Sequence, residues 1–117
     1  MTMIDTIIAA DPSVISITRH TKTPSAGGFS WAETTIADQT VRLYQISTHN
    51  QREINLPEGE VKSITLGILA DHSADMEFGH DCYDTFTHDS REYRIVGVRR
   101  YDDVNADACS QADCVAV

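Results

Sequence analysis

Apolar and polar residues alternate with a period of two along much of this chain, which is the signature of strands with one buried face. In residues 14–19 (VISITR), Ile15 and Ile17 share one face and Ser16 and Thr18 the other. In residues 40–46 (TVRLYQI), Val41 and Leu43 face one way, Arg42 and Tyr44 the other. Residues 61–70 (VKSITLGILA) set Ile64, Leu66 and Ile68 against Thr65 and Gly67. Residues 84–101 (DTFTHDSREYRIVGVRRY) predict two strands folded back through the turn residues His88-Asp89-Ser90. In the second of these, Tyr93 and Ile95 share one face, but Val96 and Val98 share the other. Gly97 lies at the change of phase, and a glycine inside a strand predicts a bulge. Residues 114–117 (CVAV) predict a short closing strand.

The intervening segments break this rhythm. Ile4, Ile7 and Ile8 have the i, i+3, i+4 spacing of one or two helical turns, which Asp11-Pro12 ends. Residues 20–30 (HTKTPSAGGFS) read as a turn or loop, marked by Pro24 and Gly27-Gly28. Residues 47–59 (STHNQREINLPEG) carry only Ile54 and Leu56 as large apolar residues and read as a long exposed loop, often a functional feature in a small domain. Residues 71–82 read as an acidic loop and 102–113 as a polar, loop-like tail. With five or so short strands, little helix and no βαβ rhythm, the expected fold is all-β. It is a small antiparallel barrel or sandwich with a short N-terminal helical turn and long loops. One domain is expected over residues 1–117, with 1–12 as an N-terminal arm and 102–117 as a C-terminal tail.

Composition narrows the function. The 117 residues suffice for one modest core, and 41% hydrophobic content excludes a disordered chain. No apolar run approaches the ~20 residues that span a bilayer. The start, MTMIDTIIAADP, lacks a basic leader region and carries Asp5, so synthesis in the cytosol is expected. Eighteen acidic residues against 9 basic give a net charge of -9. That balance argues against a sequence reader of nucleic acid, since phosphate contacts need Lys and Arg. It suits a solvated acidic surface, or one that passes near DNA without holding it. Cys82, Cys109 and Cys114 are odd in number and irregular in spacing, as expected of free thiols in a reducing compartment.

Candidate chemistry is sparse. His80, Cys82 and His88, with Cys109 and Cys114, offer zinc-type ligands, but the usual C-x2-C pairing is absent and no metal site is expected. Asp71, Asp75, Glu77, Asp81 and Asp84 lack the calcium-loop spacing and read as a solvated loop. There is no G-x-S-x-G elbow, and the acidic neighbours of Cys82 raise its pKa rather than activate it. Gly27-Gly28 is not followed by the G-K-[ST] of a phosphate loop. Neither catalysis nor a cofactor is expected. Arg91, Arg94, Arg99 and Arg100 form a basic cluster. They either decorate a strand face and edge, where charge deters stray pairing, or meet an acidic patch on a neighbouring subunit.

Three blocks, in order, carry a resemblance to a known family. They are ITRHTKTPSAGGFSW through QTVRLY, then LGILADHSADMEFGHD, then DTFTHDSREYRIVGVRRY, together covering most of residues 13–101. In order, spacing and total length the chain resembles the small head-closure (head–tail adaptor or stopper) proteins of tailed bacteriophages and prophages. Where that family often has Asp-Gly in the last hairpin, this chain has Asp89-Ser90, which implies a different turn type. The cysteine-bearing tail is not a family hallmark.

The resemblance implies a small β-barrel with a long loop between early strands. It implies a homo-oligomeric ring in the virion neck, with portal and adaptor above and tail terminator or tail tube below. Packaged DNA would pass through without sequence-specific binding, and no membrane is involved. Such a ring retains the packaged DNA and offers the tail a docking surface. The family's channel plug corresponds by position to Ser47, Thr48, His49, Asn50, Gln51, Arg52, Glu53, Ile54, Asn55, Leu56, Pro57, Glu58, Gly59 and Glu60. Two alternatives of other classes remain open: a metal-binding or enzymatic domain built on His80, Cys82, His88, Cys109 and Cys114, and a generic β-barrel binding module.

Overall fold

The segment VISITR forms two strands rather than one. β1 (Ser13–Ile15) and β2 (Thr18–Ser25) are separated only by Ser16 and Ile17, yet they lie at different places in the sheet. The computed structural model describes residues 3–47, 49, 51–56, 59–71, 73–79, 81–101 and 109–117. After helix α1 (Met3–Ala10) and the first two strands come β3 (Gly28–Thr35), β4 (Gln39–Gln45), β5 (Glu53–Asn55) and β6 (Val61–Ser63). β7 (Leu66–Asp71), β8 (Cys82–His88), β9 (Arg91–Tyr101) and β10 (Cys109–Ala116) complete the chain. Eight strands make one sheet in the order β1-β4-β7-β10-β9-β8-β2-β3, and β5 pairs with β6. Every pairing is antiparallel.

Among the described residues the fold is all-β apart from one short helix, and the sheet curls into a half-barrel. The kink at Ser16-Ile17 explains the curl. β1 pairs with β4 near one end of the sheet, and β2 pairs with β8 near the other. One bent segment thus draws the two ends together over a shared core. Ile15 and Ile17 both point into that core, with Val41, Leu66, Ile68, Met76, Phe86 and Ile95. Burial of such side chains is the main source of stability in a fold of this kind.

A second apolar cluster of Leu56, Ile64, Val96 and Val115 is buried apart from the main core. The bulge in the middle of β9 supplies one of its members. Asp113 pairs with Gly97 and Cys114 with Ile95, so Val96 is the extra residue. Ile95 and the partly buried Val98 pack with the main core, while Val96 joins the second cluster. The phase change at Gly97 was legible, but Val98 returns to the face of Ile95 because the bulge adds one residue between them.

Several sequence expectations are corrected. Residues 20–30 are not a loop: β2 and β3 form a hairpin in unbroken register from Thr18↔Thr35 to Ser25↔Gly28. Gly27, at φ 84°, supplies the positive φ that a type II turn requires at its third position. Residues 61–70 are not one strand, because Ile64 and Thr65 separate β6 from β7. Nor is the C-terminal segment a short closing strand. β10 starts at Cys109 and lies centrally, paired with β7 on one side and β9 on the other. Its core-facing residues, Ser110, Ala112 and Cys114, are small and partly polar, which hid the alternation. In the β8–β9 turn, Asp89 and Ser90 have φ of 51° and 64°. Two consecutive positive φ values mark a type I′ turn, the type that Asp-Gly also serves, so the expectation of a different turn type for Asp89-Ser90 is corrected.

Candidate functional site

The outer part of the β2–β3 hairpin, residues 26–35, is exposed throughout. β8 pairs with β2 only over Thr18–Thr21, so the remainder of the hairpin runs beyond the barrel wall. Every residue of β3 is exposed. The molecule is accordingly elongated, with principal extents of 50 × 31 × 29 Å.

Register places an aromatic array on the arm. Lys22 lies opposite Trp31, His20 opposite Glu33, and His20 also opposite Tyr83 on β8. Residues directly opposite in antiparallel strands share a face, so these side chains line one surface. The His20 and Tyr83 rings stack at 4.5 Å between centroids. Trp31 meets Tyr83 edge-on at 5.2 Å, and Phe29 meets Trp31 edge-on at 6.1 Å. Two cations flank the array: the Lys22 ammonium lies 3.8 Å from the Phe29 centroid and the Arg94 guanidinium 4.1 Å from that of Tyr83. Phe29 and Trp31 remain 53% and 43% exposed. Contiguous exposed aromatic surface of this kind is characteristic of contact sites. No single sequence motif announced it. The signal was the alternating FSWAET stretch, joined by Gly27-Gly28 to the alternating HTKT stretch, a hairpin pattern in which the glycines are the turn.

The loop matched by position to a channel plug is partly folded and docked. β5 and β6 pair over Glu53↔Ser63, Ile54↔Lys62 and Asn55↔Val61. Leu56 is buried in the second cluster, with Ile54 packed against it. Gln51 donates to the Ile46 carbonyl, and the Lys62 ammonium to that of Ala116. Arg52 donates to the Asp113 carboxylate at 3.1 Å. The expectation of a long exposed loop is corrected in part: most of its described residues are exposed or half-buried, but Glu53–Asn55 form a strand and Leu56 is buried against Val96 and Val115. Thr48, Asn50, Pro57 and Glu58 lie outside the described residues.

The four arginines do not act as one patch. Arg99 grips Asp113 through two hydrogen bonds, at 2.7 and 3.2 Å, and that contact holds its guanidinium firmly charged. Arg100 donates to the carbonyls of Ala74 and Met76, fastening the acidic loop to β9. Arg94 covers Tyr83. Arg91 is exposed beside the β8–β9 turn. Arg94, Arg99 and Arg100 thus each hold an intramolecular partner.

The sulfur ligands do not converge. Among the described residues no group of three or more His, Cys, Asp or Glu side chains is arranged to hold a metal ion. Cys114 is buried in the main core and Cys109 packs with Ile8 and Leu69. Burial pushes the Cys114 thiol far up from its usual range. Cys82 donates to Glu77 at 3.4 Å, and burial with that contact raises its thiol pKa too. Raised thiols are poor nucleophiles and poor metal ligands. His80 lies outside the described residues, and His88 is beside Asp89 at the hairpin turn.

No helix among the described residues is long and apolar enough to cross a membrane. No protein-family model matches the chain, and no curated protein matches it.

Proposed function

We propose that this protein is a non-catalytic structural subunit of the neck of a tailed-bacteriophage particle, a head-closure or stopper protein. In this reading copies assemble as a ring below portal and adaptor, retain packaged DNA, and give the tail its docking surface. The observation that carries the proposal is the shape of the β-domain. A small half-barrel holds a protruding, aromatic two-stranded arm and, separately, a short hairpin held to the sheet by a few contacts. Such an arm has no core of its own to cover it, and a subunit contact is the ordinary way to bury it. The order and spacing of the three sequence blocks support the same assignment.

The acidic balance of the chain fits this role, since a negatively charged channel lining leaves the DNA mobile. In the plug role, the β5–β6 hairpin and the segment around it would swing from a docked to a projecting position. Low local stability is what such a movement requires.

Gene disruption in the phage or lysogen that carries this sequence is the test, with electron microscopy of the particles and an assay of DNA retention. Full-sized heads separate from tails, with DNA leaking, are expected. Normal, tailed, infectious particles would overturn the assignment.

A further inference from the structure

Strand β3 is an open sheet edge of unusual character. It runs for eight residues, Gly28–Thr35, in unbroken register with β2 on one side, and among the described residues it is the last strand of the sheet on the other. Long edges are normally blunted by Lys, Pro, a bulge or shortness. β3 has none of these, and Glu33 is its only charged residue. The opposite end of the sheet, β1, is only three residues long.

The backbone pattern on β3 follows from the turn. In a two-residue hairpin the closing pair, here Ser25 and Gly28, exchanges hydrogen bonds, and bonded and open pairs then alternate. The hydrogen bond from Ile36 N–H to the Ile17 carbonyl continues the same even-numbered series toward β2. Phe29, Trp31 and Glu33 therefore present their N–H and C=O groups to the open side. The same three residues carry side chains on one face, the face of the aromatic array.

We propose that β3 pairs antiparallel with β3 of a second copy of this chain, about a two-fold axis at Trp31. That register places Trp31 opposite its own symmetry mate and Phe29 opposite Glu33 of the second copy. All three pairs are of the open, hydrogen-bond-forming kind, so both sheets join into one. Charge selects this register. Lys22 holds its ammonium 3.8 Å from the Phe29 centroid, where the carboxylate of the second copy's Glu33 arrives. Each copy supplies both partners, so the contact occurs twice. Within one copy Glu33 is exposed and 3.7 Å from Nδ1 of His20, leaving its carboxylate accessible. An isologous contact of this kind closes on itself. It uses the arm alone and does not rest on the proposed role in a virion neck.

The test is sedimentation velocity on the full chain up to about 100 μM, with emission of the single tryptophan followed over the same range. A dimer is expected, with Trp31 emission shifting to the blue as it forms. Trp31→Lys sets like charges across the axis and should sediment as a monomer. Lys22→Glu and Glu33→Lys should each weaken dimerisation about tenfold or more, and the double charge reversal should recover it. All these positions are on the exposed arm, and circular dichroism checks that each variant keeps its sheet. A wild-type monomer at every concentration overturns the proposal. So does an association state unchanged in Trp31→Lys, or charge reversals without effect, since either places the contact elsewhere.

Discussion

Arg19 and Asp84 sit opposite each other on β2 and β8 and join through two hydrogen bonds, Nε to Oδ1 at 2.9 Å and a terminal nitrogen to Oδ2 at 3.0 Å. Asp84 is fully buried, and its carboxylate also accepts from the Glu77 backbone N–H at 2.7 Å. The contact holds the Arg19 guanidinium even more firmly charged than usual. One pair thus ties the base of the arm to the barrel and to the acidic loop. Removing one partner of a buried pair leaves the other charged and unsatisfied, so Arg19→Ala should cost about 3–5 kcal/mol in urea unfolding. Asp75, which also accepts from Arg19 but is 52% exposed, should behave differently. Asp75→Ala should cost at most about 1 kcal/mol. Equal losses in the two variants would show that the buried geometry is not what stabilises this corner.

A second pair explains a glycine. Tyr44 on β4 lies opposite Gly67 on β7, and its ring occupies the space that a Cβ at position 67 would need. Gly67→Ala should therefore destabilise the fold. Tyr44 is partly exposed and can swing aside, which holds the loss near the lower end of overpacking costs, about 1 kcal/mol. In Tyr44→Ala the same glycine substitution should be neutral or better. Additive losses in the double variant would rule out the ring as the cause.

Cys114 gives the fold a defined weakness in alkali. Its folded-state pKa lies well above that of the unfolded thiol, mainly through burial and then through the nearby Asp113 carboxylate. Below the unfolded value, about 8.5, both states hold the proton and the thiol contributes no pH dependence. Above it the unfolded chain loses the proton while the folded one keeps it, so stability falls as pH rises, by up to about 1.4 kcal/mol per unit. Unfolding free energies measured from pH 7 to 10 should show this slope, and Cys114→Ala should remove much of it. A slope unchanged in that variant would assign the effect to other groups.

The sequence carried the core better than the edges. Ile15, Ile17, Leu66 and Ile68 were readable as sharing a core face because strong β-formers alternate with other residues there, whereas Ile64 joins the second cluster. β10 was not, since Ser110 and Asp113 sit in its buried stretch and a polar residue reads as surface. The arm was missed for a related reason. Pro24 and two glycines suggested a loop, whereas Pro24 lies within β2 and Gly27 makes the turn. Among the arginines, local clustering in sequence pointed to a shared patch, but strand geometry sends Arg99 to Asp113 and Arg94 to Tyr83. Alternation reports which face a residue takes and carries no information about which strand lies beside it.

Arg52 tests whether the β5–β6 hairpin can act as a moving part. Its guanidinium reaches Asp113 on β10, while its backbone carbonyl accepts from Ile64. Asp113 is already gripped by Arg99 through two hydrogen bonds, so loss of Arg52 leaves no buried charge unpaired. Arg52→Ala should therefore change global stability by at most about 1 kcal/mol, as expected when one side of the pair is largely exposed. Its local effect should be larger, because few other polar contacts hold the hairpin down. Amide exchange at residues 53–55 and 61–63 should speed up several-fold, with exchange in β7 and β10 unchanged. Asp113→Ala, which removes the acceptor of both arginines, should instead lower global stability and speed exchange in β9 and β10 as well. If exchange in the hairpin tracks the core in the Arg52 variant, hairpin and barrel unfold as one unit. A plug that swings from this position would then be physically untenable.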